Sequence, residues 1–368
     1  MSEWHNQIVV IERVDKHPNA DKLDIATVLG DYPVIVRRDE YKVGDLASYI
    51  MIDSVLPDIE DYHFLTPKAF EQYEVKEDGK TVIKNRPIGF KYPVGSVPES
   101  KRAVKAKKIL NIFSMGLLVP PVPGLAIGDS VTEALQLTKL VEEEEDNIEP
   151  GKKKKMGANA EKAPSSWSIP HYDLEGARKY ASCFIEGEEV VVKEKIHGSN
   201  FSASHDGERL WIKSRNFYKK EDPMDAWWDA ALRLNLKEKL VKYPGLVFFG
   251  ELTGQVKGFK YDAVIENGAL LTRVHFFDVY DSRINRYLDV DAAETILKDL
   301  ELPIVPELYR GPWTTKEHMY SFAEGKSTLN DKHVREGIVI RPVINRFEPK
   351  VGGRLVLKFI GEGYSLQK

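Results

Sequence analysis

Lys195 stands where a run of β-branched residues, Val190-Val191-Val192, gives way to Gly198-Ser199-Asn200. The first run favours a strand and the second a tight turn. A strand that ends in a turn here carries the Lys195 amine into a cleft at the strand's end. Taken alone, a lysine is a solvated surface residue; its downstream company changes that. In order come Ser214-Arg215-Asn216, Phe248-Phe249-Gly250-Glu251-Leu252, Phe276-Phe277-Asp278-Val279-Tyr280, Arg335-Glu336-Gly337-Ile338-Val339-Ile340 and Leu355-Val356-Leu357-Lys358-Phe359. Each is a strand-like apolar run with one or two charged residues embedded or at its end. Glu251 and Glu336 are isolated carboxylates in apolar strands, which is costly unless they are paired or bind a metal. The plain alternative for Glu336 is a structural salt bridge with Arg335 or Arg341.

The elements that must position these residues fall into two blocks. Residues 1–140 read as all-β. Ile8–Ile11, Ile25–Val28, Val34–Arg38, Leu46–Ile52 and Val104–Ile109 are strand signals separated by Gly and Pro turns. Residues 141–168 read as a charged linker, with the acidic block Glu142–Asp146 and the lysine block Lys152–Lys155. Residues 169–368 read as α+β. Within them Asp173–Tyr180 reads as a short helix, Pro223–Val241 as the main helix and Asp291–Leu300 as a further one. Trp227 and Trp228 read as packing residues and not as base-stacking platforms.

Composition bounds the partners. The net charge of −4 gives no global argument for nucleic acid, so the argument rests on patches. Lys101 to Lys108 carries five cations in eight residues. On a strand, Lys101, Lys105 and Lys107 share one face. That face reads either as a phosphate-contacting stripe or as an edge strand protected by lysines. No apolar run approaches the roughly 20 residues of a membrane span. The N-terminus lacks a basic segment followed by an apolar one, and the single Cys183 makes no internal disulfide. The expectation is a cytoplasmic monomer without a membrane partner.

Lys195-Ile196-His197-Gly198-Ser199-Asn200 resembles the first nucleotidyltransferase motif of ATP-dependent RNA ligases, in its His-Gly form. The five later segments resemble that family's later motifs in order. The turn His17-Pro18-Asn19-Ala20-Asp21-Lys22-Leu23 and the later Lys42-Val43-Gly44-Asp45 resemble an OB-fold of the tRNA-binding type. An OB module in front, with ten residues after Lys358, looks like the RNA ligase 5 family. The resemblance implies an α+β chain: an N-terminal OB-fold β-barrel, then a covalent nucleotidyltransferase (ATP-grasp-like ligase) domain of antiparallel sheets and flanking helices.

It also implies roles. Lys195 would attack the α-phosphate of ATP and carry AMP. That needs a neutral amine, and a free lysine is neutral in only roughly one molecule in 2,500 at pH 7. Burial and nearby cations are expected to lower its pKa. Glu251 would contact the ribose and, with Glu336, serve the catalytic Mg²⁺ or Mn²⁺. Phe277 would stack on adenine. Glu194 would receive the adenine amine through its carboxylate or its main-chain carbonyl. Arg215 would contact the ribose and the acceptor strand, Asn200 would serve the sealing step, and Lys358 would grip the α-phosphate. His197 would meet a phosphate or a metal-bound water, and Gly198 completes the turn. Val356 stands where the broader superfamily has a second lysine, so Arg354 or Lys213 would supply that charge, or Lys358 acts alone. The expected substrate is RNA, as a nicked duplex or an RNA/DNA hybrid. Rival readings are a DNA ligase, a GTP-using capping-type transferase and an inactive RNA-binding module.

Overall fold

The computed structural model describes residues 5–77, 80–140, 159–162, 168–254, 265–266, 269–270 and 272–367. The acidic and lysine blocks of the linker lie outside these residues. The chain divides into two compact units, residues 3–143 and 144–368.

In the first unit two three-stranded antiparallel sheets share one core. One sheet runs Gln7–Val10, Leu46–Ile50, Leu117–Val119, and the other is the meander Arg13–Lys16, Leu23–Val28, Tyr32–Arg37. Val9, Ala26, Val28, Val34, Val36, Ala47, Tyr49 and Leu118 form the core between them. The His17–Leu23 turn is held from within: His17 is buried, its Nε2 lies 3.1 Å from the Ile109 carbonyl, and Asn19 Nδ2 donates to the Leu110 carbonyl at 2.8 Å.

The expected fifth strand, Val104–Ile109, does not form as one piece. Glu99–Arg102 is a helical turn, and only Lys107–Ile109 is a strand, paired with Ile112–Ser114. Arg102 fixes the turn by donating to the carbonyls of Val97 and Leu56. Val104 is drawn to Ser54 and Asp53 through two main-chain bonds of 2.8 Å. Lys101, Lys105 and Lys107 are all exposed, but they sit on a helix, a loop and a strand, so the one-face stripe is not present.

The second unit is built on two sheets. A seven-stranded sheet contains, among others, Leu210–Lys213, Ser199–His205, Leu246–Thr253 and Arg273–Asp281 as successive neighbours. A five-stranded sheet runs Glu175–Gly176, Leu357–Ile360, Gly337–Pro342, Glu189–Lys195, Glu307–Pro312. All pairings in it are antiparallel except that of Glu175–Gly176 with Leu357–Lys358. The expected helix Pro223–Val241 is two helices, Ala226–Arg233 and Leu236–Leu240, broken at Asn235 with φ +56°. The carboxylate of Asp225 caps the first by accepting from the amides of Trp227 and Trp228. Both indoles are buried in the core against the seven-stranded sheet, as packing residues. Asp173–Tyr180 is a short strand followed by the helical turn Ala177–Tyr180. Val290–Asp299 is the last substantial helix, one residue off its expected start.

Candidate active site

The Lys195 motif is the crossover between the two sheets. Lys195 is the last residue of Glu189–Lys195 in one sheet, and Ser199 opens Ser199–His205 in the other. Strand alternation decides which way each side chain points. Val190 and Val192 enter the core of the five-stranded sheet. Register then places Lys195 opposite Gly337, and Lys193 and Lys358 on either side of Val339, all on the other face. Gly198 tolerates no side chain, because a Cβ there would lie 2.2 Å from the Leu252 carbonyl oxygen. Gly337 is under the same restriction, with a Cβ 2.1 Å from the Phe359 oxygen. These two close approaches bring Glu251 and Glu336 in beside the amine.

Lys195 Nζ donates to Glu336 Oε1 at 2.7 Å, and its side chain is 24% exposed. The expectation of a lowered pKa fails for this state. Burial disfavours the ammonium, but the carboxylates of Glu336 and Glu251 outweigh it, and the pKa is raised. Lys358, in contrast, is lowered: burial, then the charge of Lys195, bring it down to about 8. Glu251 is pushed up to about 7 by burial, with Lys195 opposing and Glu336 adding to the rise. The main-chain amide of Gly198 donates to it.

Glu336 does not form the structural salt bridge with Arg335 or Arg341. Arg335 Nε lies 3.6 Å from Glu194, and Arg341 Nη1 lies 2.8 Å from Asp278. Glu336 Oε2 is buried with no hydrogen-bond partner, 3.8 Å from His197 Nδ1. Two carboxylates around one amine, one with an orphaned oxygen and one poorly stabilised as an anion, fit an incoming cation. Among the described residues no three His, Cys, Asp or Glu side chains gather at metal-ligand spacing. A divalent ion held here would rely on Glu251 and Glu336 and complete its shell with phosphate and water, the habit of Mg²⁺.

The other expected residues fall around this centre with some changes of role. Phe276 is fully buried in the core, and Phe277 is half-buried against the pair Ile196 and Val305. Only Phe277 is therefore available as a platform. The Glu194 carboxylate points away from Lys195 and is fully buried. It is saturated by Ser327 Oγ at 2.5 Å, Thr328 N at 2.9 Å and Thr328 Oγ1 at 2.5 Å. Of the two acceptors expected at Glu194, the carboxylate is thus spent, and only the main chain can meet a base. Arg215 pairs with Asp173 at 2.9 Å. Asn200 lies opposite Glu251, and its carbonyl receives the Trp227 indole N–H at 3.0 Å.

His197 Nδ1 is 2.7 Å from the Tyr364 hydroxyl, which comes from the helix Glu362–Ser365. Sequence reasoning missed Tyr364, since one tyrosine beyond the last motif carries no periodic signal. For the second phosphate-binding charge, Arg354 is excluded. It is committed to Asp278 at 2.6 Å and lies over the Tyr287 ring at 3.8 Å. Lys213 is buried and donates to the Arg215 carbonyl at 2.9 Å, while Val356 is in the core.

Among known proteins, residues 188–360 match the RNA ligase family model, and residues 6–86 match the PHA02142 OB-fold domain. A comparison with curated proteins finds no match. Solved structures similar to this chain include the Naegleria gruberi RNA ligase with PPi, at TM-score 0.71 and 21% identity over 98% of each chain. A mutant of that ligase with ATP and Mn has TM-score 0.71 and 20% identity, again over 98% of each chain. Another, with AMP and Mn, has TM-score 0.72 and 21% identity, over 100% of this chain and 99% of the other. Residues 6–86 are thus similar to an OB-fold domain and residues 188–360 to an RNA ligase, and the lysine crossover lies inside the second match.

Proposed function

We propose that this protein is an ATP-dependent RNA ligase that joins a 3′-hydroxyl to a 5′-phosphate, at nicks in duplexes, through AMP carried on Lys195. The observation that carries this reading is the Lys195 amine at the sheet crossover, flanked by Glu336, Glu251 and Lys358 on three separate strands or their ends. The similar Naegleria structures with PPi, with ATP and Mn and with AMP and Mn support the same chemistry.

Lys195 Nζ attacks the α-phosphorus of ATP, a P–N bond forms and pyrophosphate leaves. The 5′-phosphate of the RNA then attacks that phosphorus and releases the lysine. The 3′-hydroxyl finally attacks the capped 5′-phosphate and expels AMP. In the ligand-free chain the proton on Lys195 is held by two carboxylates. A divalent ion at Glu251 and Glu336 would cancel that charge and offset the negative charge of the departing pyrophosphate.

Lys358 supplies fixed positive charge for the α-phosphate in the transition state. Phe277 offers a face for adenine, and the main-chain carbonyl at Glu194 accepts from the adenine amine. Arg215 serves the ribose and the acceptor strand, and Asn200 the sealing step. With Arg354 tied to Asp278, Lys358 acts without it as a partner. The OB-fold domain supplies sequence-independent backbone contact, with Lys101, Lys105 and Lys107 as separate exposed charges. We place the reaction in the cytoplasm, on the strength of one buried cysteine. No described helix is long and apolar enough to cross a membrane.

The test is mass spectrometry after incubation with ATP and Mg²⁺ or Mn²⁺. One added AMP on Lys195, absent from Lys195→Ala and absent with GTP, is expected. Nicked duplexes ending in ribose or deoxyribose then separate RNA from DNA joining. An adduct that persists in Lys195→Ala would overturn the mechanism.

A further inference from the structure

Glu194 is a puzzle on simple energetics. A carboxylate with a fully buried side chain costs several kcal/mol to desolvate unless its lone pairs are filled. Here they are filled by one short segment, the hydroxyl of Ser327 and the amide and hydroxyl of Thr328. Ser327 Oγ also accepts from the amide of Leu329 at 3.1 Å, so the contact is relayed one residue further. Arg335, beside Glu194, donates to the carbonyls of Phe322, Glu324 and Lys326 and ties down the chain before Ser327. Leu329, at the end of this relay, packs against the buried pair Ile196 and Val305, and Phe277 packs against the same pair. Ile196 directly follows the nucleophile, and Phe277 is the face assigned to adenine.

Building on the function proposed above, we propose that Leu329 forms a wall of the base slot and sets its preference for adenine. Glu194 is the positioning residue that holds this wall, through Ser327 and Thr328. The carboxylate next to the nucleophile thus recognises no part of the nucleotide. It joins the strand that ends in Lys195 to the turn that closes the slot. A wall fixed by three hydrogen bonds to a buried charge has little freedom to retreat before the extra amino group of guanine. A loosened wall loses contact with adenine and admits guanine more readily.

The experiment measures adduct formation on Lys195 with ATP and with GTP, in single turnovers, for the wild type, Leu329→Ala, Glu194→Gln and the double variant. Leu329→Ala is expected to raise half-saturating ATP about tenfold and to narrow the ATP-over-GTP preference, with a far smaller effect on the rate at saturation. Glu194→Gln is expected to do the same more weakly. The double variant is expected to resemble Leu329→Ala, because Glu194 acts through Leu329. If Glu194→Gln fails to fold, Ser327→Ala takes its place. A Glu194→Gln protein of lower Tm with wild-type half-saturation and nucleotide preference would overturn the proposal, as would fully additive effects. Unchanged half-saturation in Leu329→Ala would overturn it too, while the wild-type adduct leaves the ligase reading intact. Absence of any adduct in the wild type would overturn both.

Discussion

Asp278 is the group whose removal tests the architecture most sharply. It lies on a strand of the seven-stranded sheet and is fully buried. Its Oδ2 accepts from Tyr172 at 2.7 Å and lies 2.8 Å from Arg341 and 2.6 Å from Arg354. Arg341 and Arg354 belong to, or closely precede, strands of the five-stranded sheet, so one carboxylate binds the two sheets together. Burial alone would raise its pKa, but the two guanidiniums outweigh burial and take it from 3.8 to about 2. At 1.36 kcal/mol per pKa unit that gap is worth about 2 kcal/mol. The folded value is the lower one, so this stability is complete above the unfolded value and is lost as pH falls towards 2. By pH 3 about 1 kcal/mol of it is gone.

Asp278→Asn removes the charge and leaves two buried cations facing each other. Breaking a buried pair in this way costs ~3–5 kcal/mol. In a unit of this size that lowers Tm by ~6–20 °C. The assay is thermal unfolding of the wild type and Asp278→Asn at closely spaced pH values from 7 down to 3. The variant is expected to melt well below the wild type at pH 7, and the gap is expected to narrow as pH falls below about 4. A variant within 2 °C of the wild type at pH 7, or a gap that widens in acid, would refute the triad as a stabilising link.

Two further outcomes follow from the site. Tyr364→Phe keeps the buried ring but removes the hydroxyl from His197 Nδ1; a roughly tenfold loss in the rate of AMP transfer is expected at an unchanged Tm, and single-turnover assays of each step check it. Lys358 titrates near 8, so it is charged below that pH and neutral above it; ATP binding to the free protein is expected to weaken as pH rises through 8, by ~10–100-fold, and isothermal titration should find no such limb in Lys358→Ala.

Much of the site was legible because strand chemistry is local. The β-branched run before Lys195 and the alternation that follows it fix which side chains share its face, and register did the rest at Glu336 and Lys358. The Phe276/Phe277 choice was likewise decided by alternation, with the core taking the first ring. What alternation does not encode is which partner a buried charge finds across the fold. Arg354 was a candidate for the phosphate and instead neutralises Asp278, 76 positions away. Glu194 pairs with residues 133 and 134 positions off. The lysine-rich stretch misled for a related reason: Arg102 found two carbonyls, one of them 46 positions away, and folded its own turn into a helix. Asn235 broke a helix that side-chain periodicity alone would have continued.

An ammonium has no lone pair to give. While Glu336 and Glu251 hold the proton on Lys195 and raise its pKa, the resting amine, though exposed by a quarter, offers its lone pair less often than an ordinary surface lysine. Any cation that drew the two carboxylates to itself would reverse that bias, so the group that wakes this lysine need not be the one it reacts with.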